Sequence, residues 1–296
     1  MKKILSFIFL LLYIAQLKAQ TAPHTLSLGF TNGVSSMSYK PNFGKNTTQW
    51  GFQVDLSYSY MFDAFKNTNH RFGLSFGASF LYAKNKYILP NYTQSYNAID
   101  IEGETYLHKL VLEKYREVQN INYINFPILF RWEFMPWYVE VGPVIGFNVI
   151  STSSIDVDLI KTSGLYPDAI EEFENVPPLG FLTSKNYMAD AKLKLGLNLA
   201  AAFEVGYLFD MKTGQFGVAL YCQYGFMNLH NNKKYTHFIQ TADINNQIEH
   251  LVSPVIGSLN PASDTPIVGK MNPFIFGIKV QYRIKIQNLE TRFFPR

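Results

Sequence analysis

Arg71-Phe72-Gly73-Leu74-Ser75-Phe76-Gly77-Ala78-Ser79-Phe80-Leu81-Tyr82 alternates without a break: Phe72, Leu74, Phe76, Ala78, Phe80 and Tyr82 share one face of an extended chain, and Arg71, Gly73, Ser75, Gly77 and Ser79 the other. A period of two marks a β-strand, whose successive side chains point to opposite faces. Here the bulky face is apolar and the opposite face small or polar. That division decides the fold, because it recurs in seven other segments.

Upstream, Trp50, Phe52, Val54, Leu56, Tyr58 and Tyr60 alternate with Gly51, Gln53, Asp55, Ser57 and Ser59. Downstream, Ile124, Phe126, Ile128, Phe130 and Trp132 oppose Asn125, Pro127, Leu129 and Arg131, and Trp137, Val139, Val141, Ile145 and Phe147 oppose Tyr138, Glu140, Gly142, Gly146 and Asn148. Leu193 to Tyr207, Phe216 to Phe226 and Phe274 to Ile284 repeat the pattern, with Glu204, Gln223, Lys279 and Arg283 on the second face. The first segment, Thr25 to about Tyr39, is the least regular: Asn32 and Gly33 interrupt the phase set by Leu26, Leu28 and Phe30, which predicts a glycine bulge. Setting Trp132 against Trp137 places Pro127 opposite Gly142 and Phe126 opposite Pro143. Each proline removes a ladder hydrogen bond, so a local bulge or kink is expected there.

Eight columns of Phe, Tyr, Trp and Leu do not fit inside an eight-stranded barrel, whose interior is just wide enough for side chains. The apolar face therefore points outward, with Trp50, Phe76, Phe130, Val141, Leu199, Leu220 and Phe276 on it. In water it would form one patch far beyond the few hundred Å² that soluble monomers tolerate, so lipid is its natural partner. After residue 19 no apolar run of 18 or more residues occurs, and lipid admits only helices and closed barrels. The prediction is an all-β, eight-stranded antiparallel up-and-down transmembrane β-barrel. Asp55, Arg71, Arg131, Glu140, Lys194, Glu204, Lys279, Arg283 and Lys285 then face the lumen, and charges of both signs there predict a salt-bridged plug rather than a conducting pore.

The connections run about 10, 8, 35, 4, 41, 5 and 44 residues, with every long one in an odd position. Outer-membrane barrels combine short periplasmic turns with long extracellular loops. Residues 85–119, 151–191 and 229–272 are expected outside the cell, and both termini in the periplasm. Within the second loop, Pro167 followed by Asp168 to Glu174 predicts a short helix; in the third, Ile244, Ile248 and Leu251 predict another.

Lys2 and Lys3 precede an apolar run from Ile4 to Ile14, and a polar stretch ends at Ala19 and Gln20. This reads as a signal peptide over residues 1–19, leaving 20–296 as the barrel domain with a short periplasmic tail, Gln287 to Arg296. Without Lys2, Lys3 and Lys18 the formal charge falls from +4 to +1, and nothing points to nucleic acid. Charged residues are 16% of the chain against roughly 25% in soluble domains, a balance suited to a lipid-facing surface. Cys222 is the one cysteine, which excludes a disulfide framework or a cysteine-rich metal site.

None of His24, His70, His108, His230, His237 and His250 stands in a metalloprotease spacing or beside a nucleophile motif. His237, Asp243 and His250 share the last loop and read as solvated residues. Asp156, Asp158, Asp168, Glu171, Glu172, Glu174 and Asp190 outnumber Lys161 and Lys185 in residues 151–191 but lack a fixed ligand spacing. No catalytic, cofactor-binding or metal residues are assigned, and no cofactor is expected.

Tyr123-Ile124-Asn125-Phe126-Pro127-Ile128-Leu129, then Val141-Gly142-Pro143 after a short turn, and the glycine-containing strands Leu195 to Gly206 and Gly217 to Leu229, resemble the PorT-like outer-membrane β-barrel family of the Bacteroidetes. The resemblance spans roughly Thr25 to Ile286 and departs from the family in the long loops and the tail. It implies the same fold and an outer-membrane location; the founding member is associated with a protein secretion system. The expected function is non-enzymatic: a barrel embedded in outer-membrane lipid that anchors a structured extracellular surface for binding or assembly, with protein partners through the extracellular loops or periplasmic turns. The alternatives are an accessory component of a secretion system, as the resemblance implies, and an outer-membrane enzyme acting on lipid or peptide.

Overall fold

A computed structural model describes residues 24–38, 44–62, 70–100, 102–167, 172–176, 181, 183–193, 195–229, 239–240, 250–251, 259–260, 265–266 and 271–286. The expected signal peptide and tail lie outside them. The strands are β1 (His24–Ser38), β2 (Lys45–Phe62), β3 (His70–Ile99), β4 (Thr105–Phe134), β5 (Trp137–Asn148), β6 (Ser151–Leu165), β7 (Phe173–Glu174), β8 (Thr183–Leu193), β9 (Asn198–Met211), β10 (Gly214–Gly225), β11 (Ile239–Gln240), β12 (His250–Leu251), β13 (Leu259–Asn260), β14 (Thr265–Pro266) and β15 (Asn272–Lys285).

Eight of them close a ring: β1, β2, β3, β4, β5, β9, β10, β15 and back to β1, every pair antiparallel. Neighbours in the ring follow one another in the chain, so the barrel is up-and-down. Stepping between directly paired residues from Asn198 on β9 through Gly146, Asn125, Ser79, Asp55, Gly29, Gln281 and Gly217 returns to β9 at Leu208, ten residues further on. That stagger over eight strands fixes a tilt of about 40°. At this tilt the outward stretch Phe72 to Tyr82 spans about 25 Å along the axis, the height of an outer-membrane apolar band.

The two faces lie as the alternation predicts. Trp50, Phe76, Phe130, Val141, Leu199, Leu220 and Phe276 are exposed on the outside, while Asp55, Ser75, Glu140, Glu204 and Lys279 are buried within. Aromatic rings thicken both margins of the band: Trp132 stacks on His70 and Phe72 at one end, and Trp50, Phe52 and Tyr82 pack together at the other.

Two details of register differ from expectation. The ladder runs through Asn32 and Gly33 without a bulge, because Gly33 pairs with Gly51 on one side and Gly277 on the other and the three backbones close up; a Cβ on Gly33 would meet the Phe276 carbonyl at 2.1 Å. The irregularity falls instead on β2, between Thr48 and Gly51. On β5, Phe134 rather than Trp132 faces Trp137, so Pro127 lies opposite Val144 and Phe126 opposite Ile145. The pairing lapses at Ile128 and Leu129, where β5 presents Gly142 and Pro143, and resumes in the same register, so the prolines cost ladder bonds without shifting it.

The larger correction concerns residues 85–119. Instead of a loop, β3 and β4 are each 30 residues long and pair up to Ile99 and Thr105, and the Asp100 N–H donates to the Glu104 carbonyl where the hairpin closes. Residues 151–191 also form a sheet: β6 pairs with the upper half of β4 from Leu107 to Asn120, and β8 pairs with β6. Phe173 and Glu174, expected at the end of a helix, form β7 against Gly164 and Ser163, with 168–171 outside the described residues. Ile244 and Ile248 are likewise outside, and Leu251 lies in β12, opposite Ile239. A sheet of β3, β4, β6 and β8 thus stands above the barrel.

Candidate functional site

The lower lumen is a buried ion cluster. Arg131 meets Glu140 at 2.5 Å and Glu133 at 2.7 Å, and Arg283 meets Glu133 at 2.9 Å. Lys279 lies 3.0 Å from Glu204 and 3.2 Å from Asp55. Neutral groups complete the set: Ser75 donates to Glu140, Tyr138 to Glu204, and Gln281 to the Tyr138 hydroxyl. Glycines make the room. A Cβ on Gly29 would strike the Asp55 carboxylate, and one on Gly206 the Tyr138 ring. Each charge has an opposite partner at close range, the condition under which a buried ion network is tolerated.

Of the lumenal charges expected from the sequence, Asp55, Arg131, Glu140, Glu204, Lys279 and Arg283 enter the cluster. Arg71 stands at its margin, 3.8 Å from Glu133, Lys285 is half-buried, and Lys194 is outside the described residues. Glu133 is the member that sequence reasoning missed, although it shares the phase of Arg131 two residues before it.

The upper lumen is mixed: the fully buried Glu117 accepts from Tyr115, Gln119 and Ser153, and Gln119 accepts from Asn85, amid apolar side chains. Met37, Tyr87, Leu112, Tyr115, Ile121, Tyr123, Ile155, Val157, Leu229 and Met271 belong to one apolar cluster that reaches from the barrel mouth into the sheet above. Burial switches from odd to even positions across Pro90 on β3 and Lys114 on β4, and similarly on β6 between Val157 and Ile160. Pro90 has no N–H for the ladder, and Lys114 takes a left-handed backbone with φ of 50°. The slip occurs on adjacent strands together, so Leu89 and Tyr115 below it and Tyr92 and Leu112 above it share one core.

At the tip, Tyr106 stacks on Tyr166 with centroids 5.1 Å apart, and Phe181 closes over Tyr106 and His108. Asp100 accepts the N–H groups of Glu102 and Glu104, each at 2.9 Å, and these bonds hold its carboxyl below the usual range. Ser163 donates to Glu172, which also pairs with Lys109; both lower the Glu172 pKa.

The acidic residues read from the sequence are dispersed rather than gathered. Asp156 and Asp158 pair with Arg116, Asp158 also with Lys114, Glu174 pairs with Lys161, and Asp190 accepts from Ser154. No group of three or more His, Cys, Asp or Glu able to hold a metal occurs among the described residues. His24 stacks on Tyr58, His70 on Trp132, and His108 sits in the tip; His230, His237 and Asp243 are outside the described residues.

Residues 16–231 match the family model described as outer membrane protein beta-barrel domain. Among solved structures, a similar chain is the attachment invasion locus protein Ail of Yersinia pestis, crystallised with the heparin analogue sucrose octasulfate: identity is 10%, the match covers 90% of this chain and all of that one, and the TM-score is 0.25. No curated protein matches. With a family match over most of its length and a closed, lipid-faced ring of eight strands, the chain belongs to the outer membrane protein β-barrel domain family.

Proposed function

We propose that the protein is a non-enzymatic outer-membrane anchor, exported by a signal peptide over residues 1–19, whose barrel holds a rigid β-sheet outside the cell as a binding or assembly surface. The observation that carries this reading is the extension itself: β3 and β4 rise far past the apolar band, and β6 and β8 widen them into a packed sheet with its own core. Packing of this kind holds exposed side chains such as Ile99, Leu107 and Met188 in fixed positions. A surface of that type suits protein contact, since ordered apolar groups outside a membrane are typical of recognition sites.

Sidedness is the test. Cysteines at Glu102 and Lys212, in a Cys222→Ala background, are labelled on intact cells with an impermeant maleimide. Glu102→Cys, at the exposed hairpin turn, is expected to react, and Lys212→Cys, at the opposite end, to remain protected. The reverse pattern would overturn the proposal.

A second reading, an accessory role in a protein secretion system, is favoured by the PorT-like residues of β4 and β5. Cross-linking in outer membranes followed by mass spectrometry separates the two: recovery of secretion subunits through the periplasmic turns supports the accessory role. An enzyme acting on lipid or peptide has less support, because Asp55, Glu133, Glu140 and Glu204 are held in ion pairs and Glu117 is held by three hydrogen-bond donors.

A further inference from the structure

Just above the apolar band, the outward face of the sheet carries Lys84 and Lys86 on β3. Their direct partners are Asn120 and Val118 on β4, so neither faces a carboxylate there. On β2 the irregularity between Thr48 and Gly51 reverses the phase of the strand. It therefore brings Lys45, opposite Ile88, and Thr47, opposite Lys86, onto this same outward face. Lys84 and Lys86 are two residues apart, about 7 Å, and Lys45 is diagonal to Lys86 at roughly 7–8 Å.

No ion pair to any of the three occurs among the described residues, whereas Lys114 and Arg116 on the next strand are both paired with Asp158. Three cations at this spacing repel one another unless an anion lies between them. Directly beneath is a continuous aromatic plate: Phe52 packs on Tyr82 at 5.3 Å, on Trp50 at 5.4 Å and on Phe30 and Phe80 at 6.2 and 6.4 Å. Trp50 donates its indole N–H to Asn32, and Tyr82 its hydroxyl to Asn120, so the polar ring edges mark the level at which lipid gives way to headgroups.

From this juxtaposition we infer that Lys45, Lys84 and Lys86 form a docking site for the phosphate groups of a membrane lipid whose acyl chains lie against Trp50, Phe52 and Phe80. The site is continuous with the lipid-facing surface of the barrel, which brings the ligand to it by lateral diffusion, and its charge complements a phosphate-bearing headgroup. It rests on the proposed orientation only for which leaflet supplies the lipid.

The full chain in nanodiscs of zwitterionic phospholipid is titrated with a diphosphorylated, multiply acylated glucosamine lipid, or with its dephosphorylated form, and bound lipid is counted by native mass spectrometry. The phosphorylated form is expected to bind at least tenfold more tightly. The combined K45Q, K84Q and K86Q substitutions abolish that preference, weakening binding on the order of a hundredfold, while the corresponding arginine substitutions retain it. Equal binding of the two lipids by the unaltered protein overturns the inference, as does a folded glutamine variant that binds normally, or complete displacement of the lipid by inorganic phosphate. Failure of the orientation is separate: maleimide labelling of Lys212→Cys on intact cells reverses the sidedness, while the lipid preference in nanodiscs persists.

Discussion

Glu140 on β5 and Glu204 on β9 are direct cross-strand partners, both buried in the barrel. Like charges so placed destabilise a sheet. They coexist because Arg131 on β4 binds the first and Lys279 on β15 the second, so cations from two separate parts of the ring cross-link it through its centre.

Replacing Lys279 by Met is therefore expected to leave Asp55 and Glu204 without their cation and to lower unfolding stability by about 3–5 kcal/mol. Adding Asp55→Asn and Glu204→Gln to the same chain should recover part of the loss. Urea titrations of refolded protein measure both, and equal midpoints for Lys279→Met and the unaltered protein would count against the cluster.

The cost of a lipid-facing charge depends on depth. Leu220 lies midway along β10, whereas Leu199 is the second residue of β9, at the upper margin of the band. Leu220→Arg should cost about 2–4 kcal/mol and Leu199→Arg only about 0–1 kcal/mol. A larger loss at Leu199 would place the band at a different height.

Arg131, Arg283 and Tyr138 fill the lower lumen, and Tyr87, Tyr115 and Leu112 the upper. Planar-bilayer recordings are expected to show no steady nanosiemens-scale conductance, because two packed layers lie in series, an ion-paired one below and a mixed apolar and hydrogen-bonded one above. A stable open state would require one of them to move.

Asp100 closes the β3–β4 hairpin, and its carboxyl is held low first by the Glu104 N–H and also by the Tyr166 hydroxyl and the Glu102 N–H. A carboxyl lowered in the folded state contributes stability that is present above its unfolded value and is lost as pH falls through the folded one. Protection of the Glu102 and Glu104 amides, taken relative to their intrinsic exchange rates, should therefore fall as pH drops below about 4. Asp100→Asn should show no such step.

The lipid-facing and lumenal faces were legible in the sequence because they are a local property: a period of two assigns each residue a side whatever its partners are, and the bulk of Phe, Tyr and Trp leaves only the outside. The height of the sheet was not legible. Above the band, the outward residues include Lys84, Lys86 and Asn120 while the inward ones mix Tyr87, Tyr115 and Ile155 with Asn85, Glu117 and Gln119, so the clean apolar-out, polar-in division is lost where water replaces lipid. The phase then slips at Pro90 and Lys114, which breaks the alternation that marks a strand. Register, too, came only from the fold: Phe134 pairs with Trp137 across a two-residue turn, and closure of the ring aligns Gly33 with both Gly51 and Gly277. The sequence by itself determined the eight barrel strands within the apolar band, the side each residue takes there and the membrane. Only the tertiary structure decided which charges meet and where the barrel stops and the sheet continues, because those depend on stagger between strands distant in the chain.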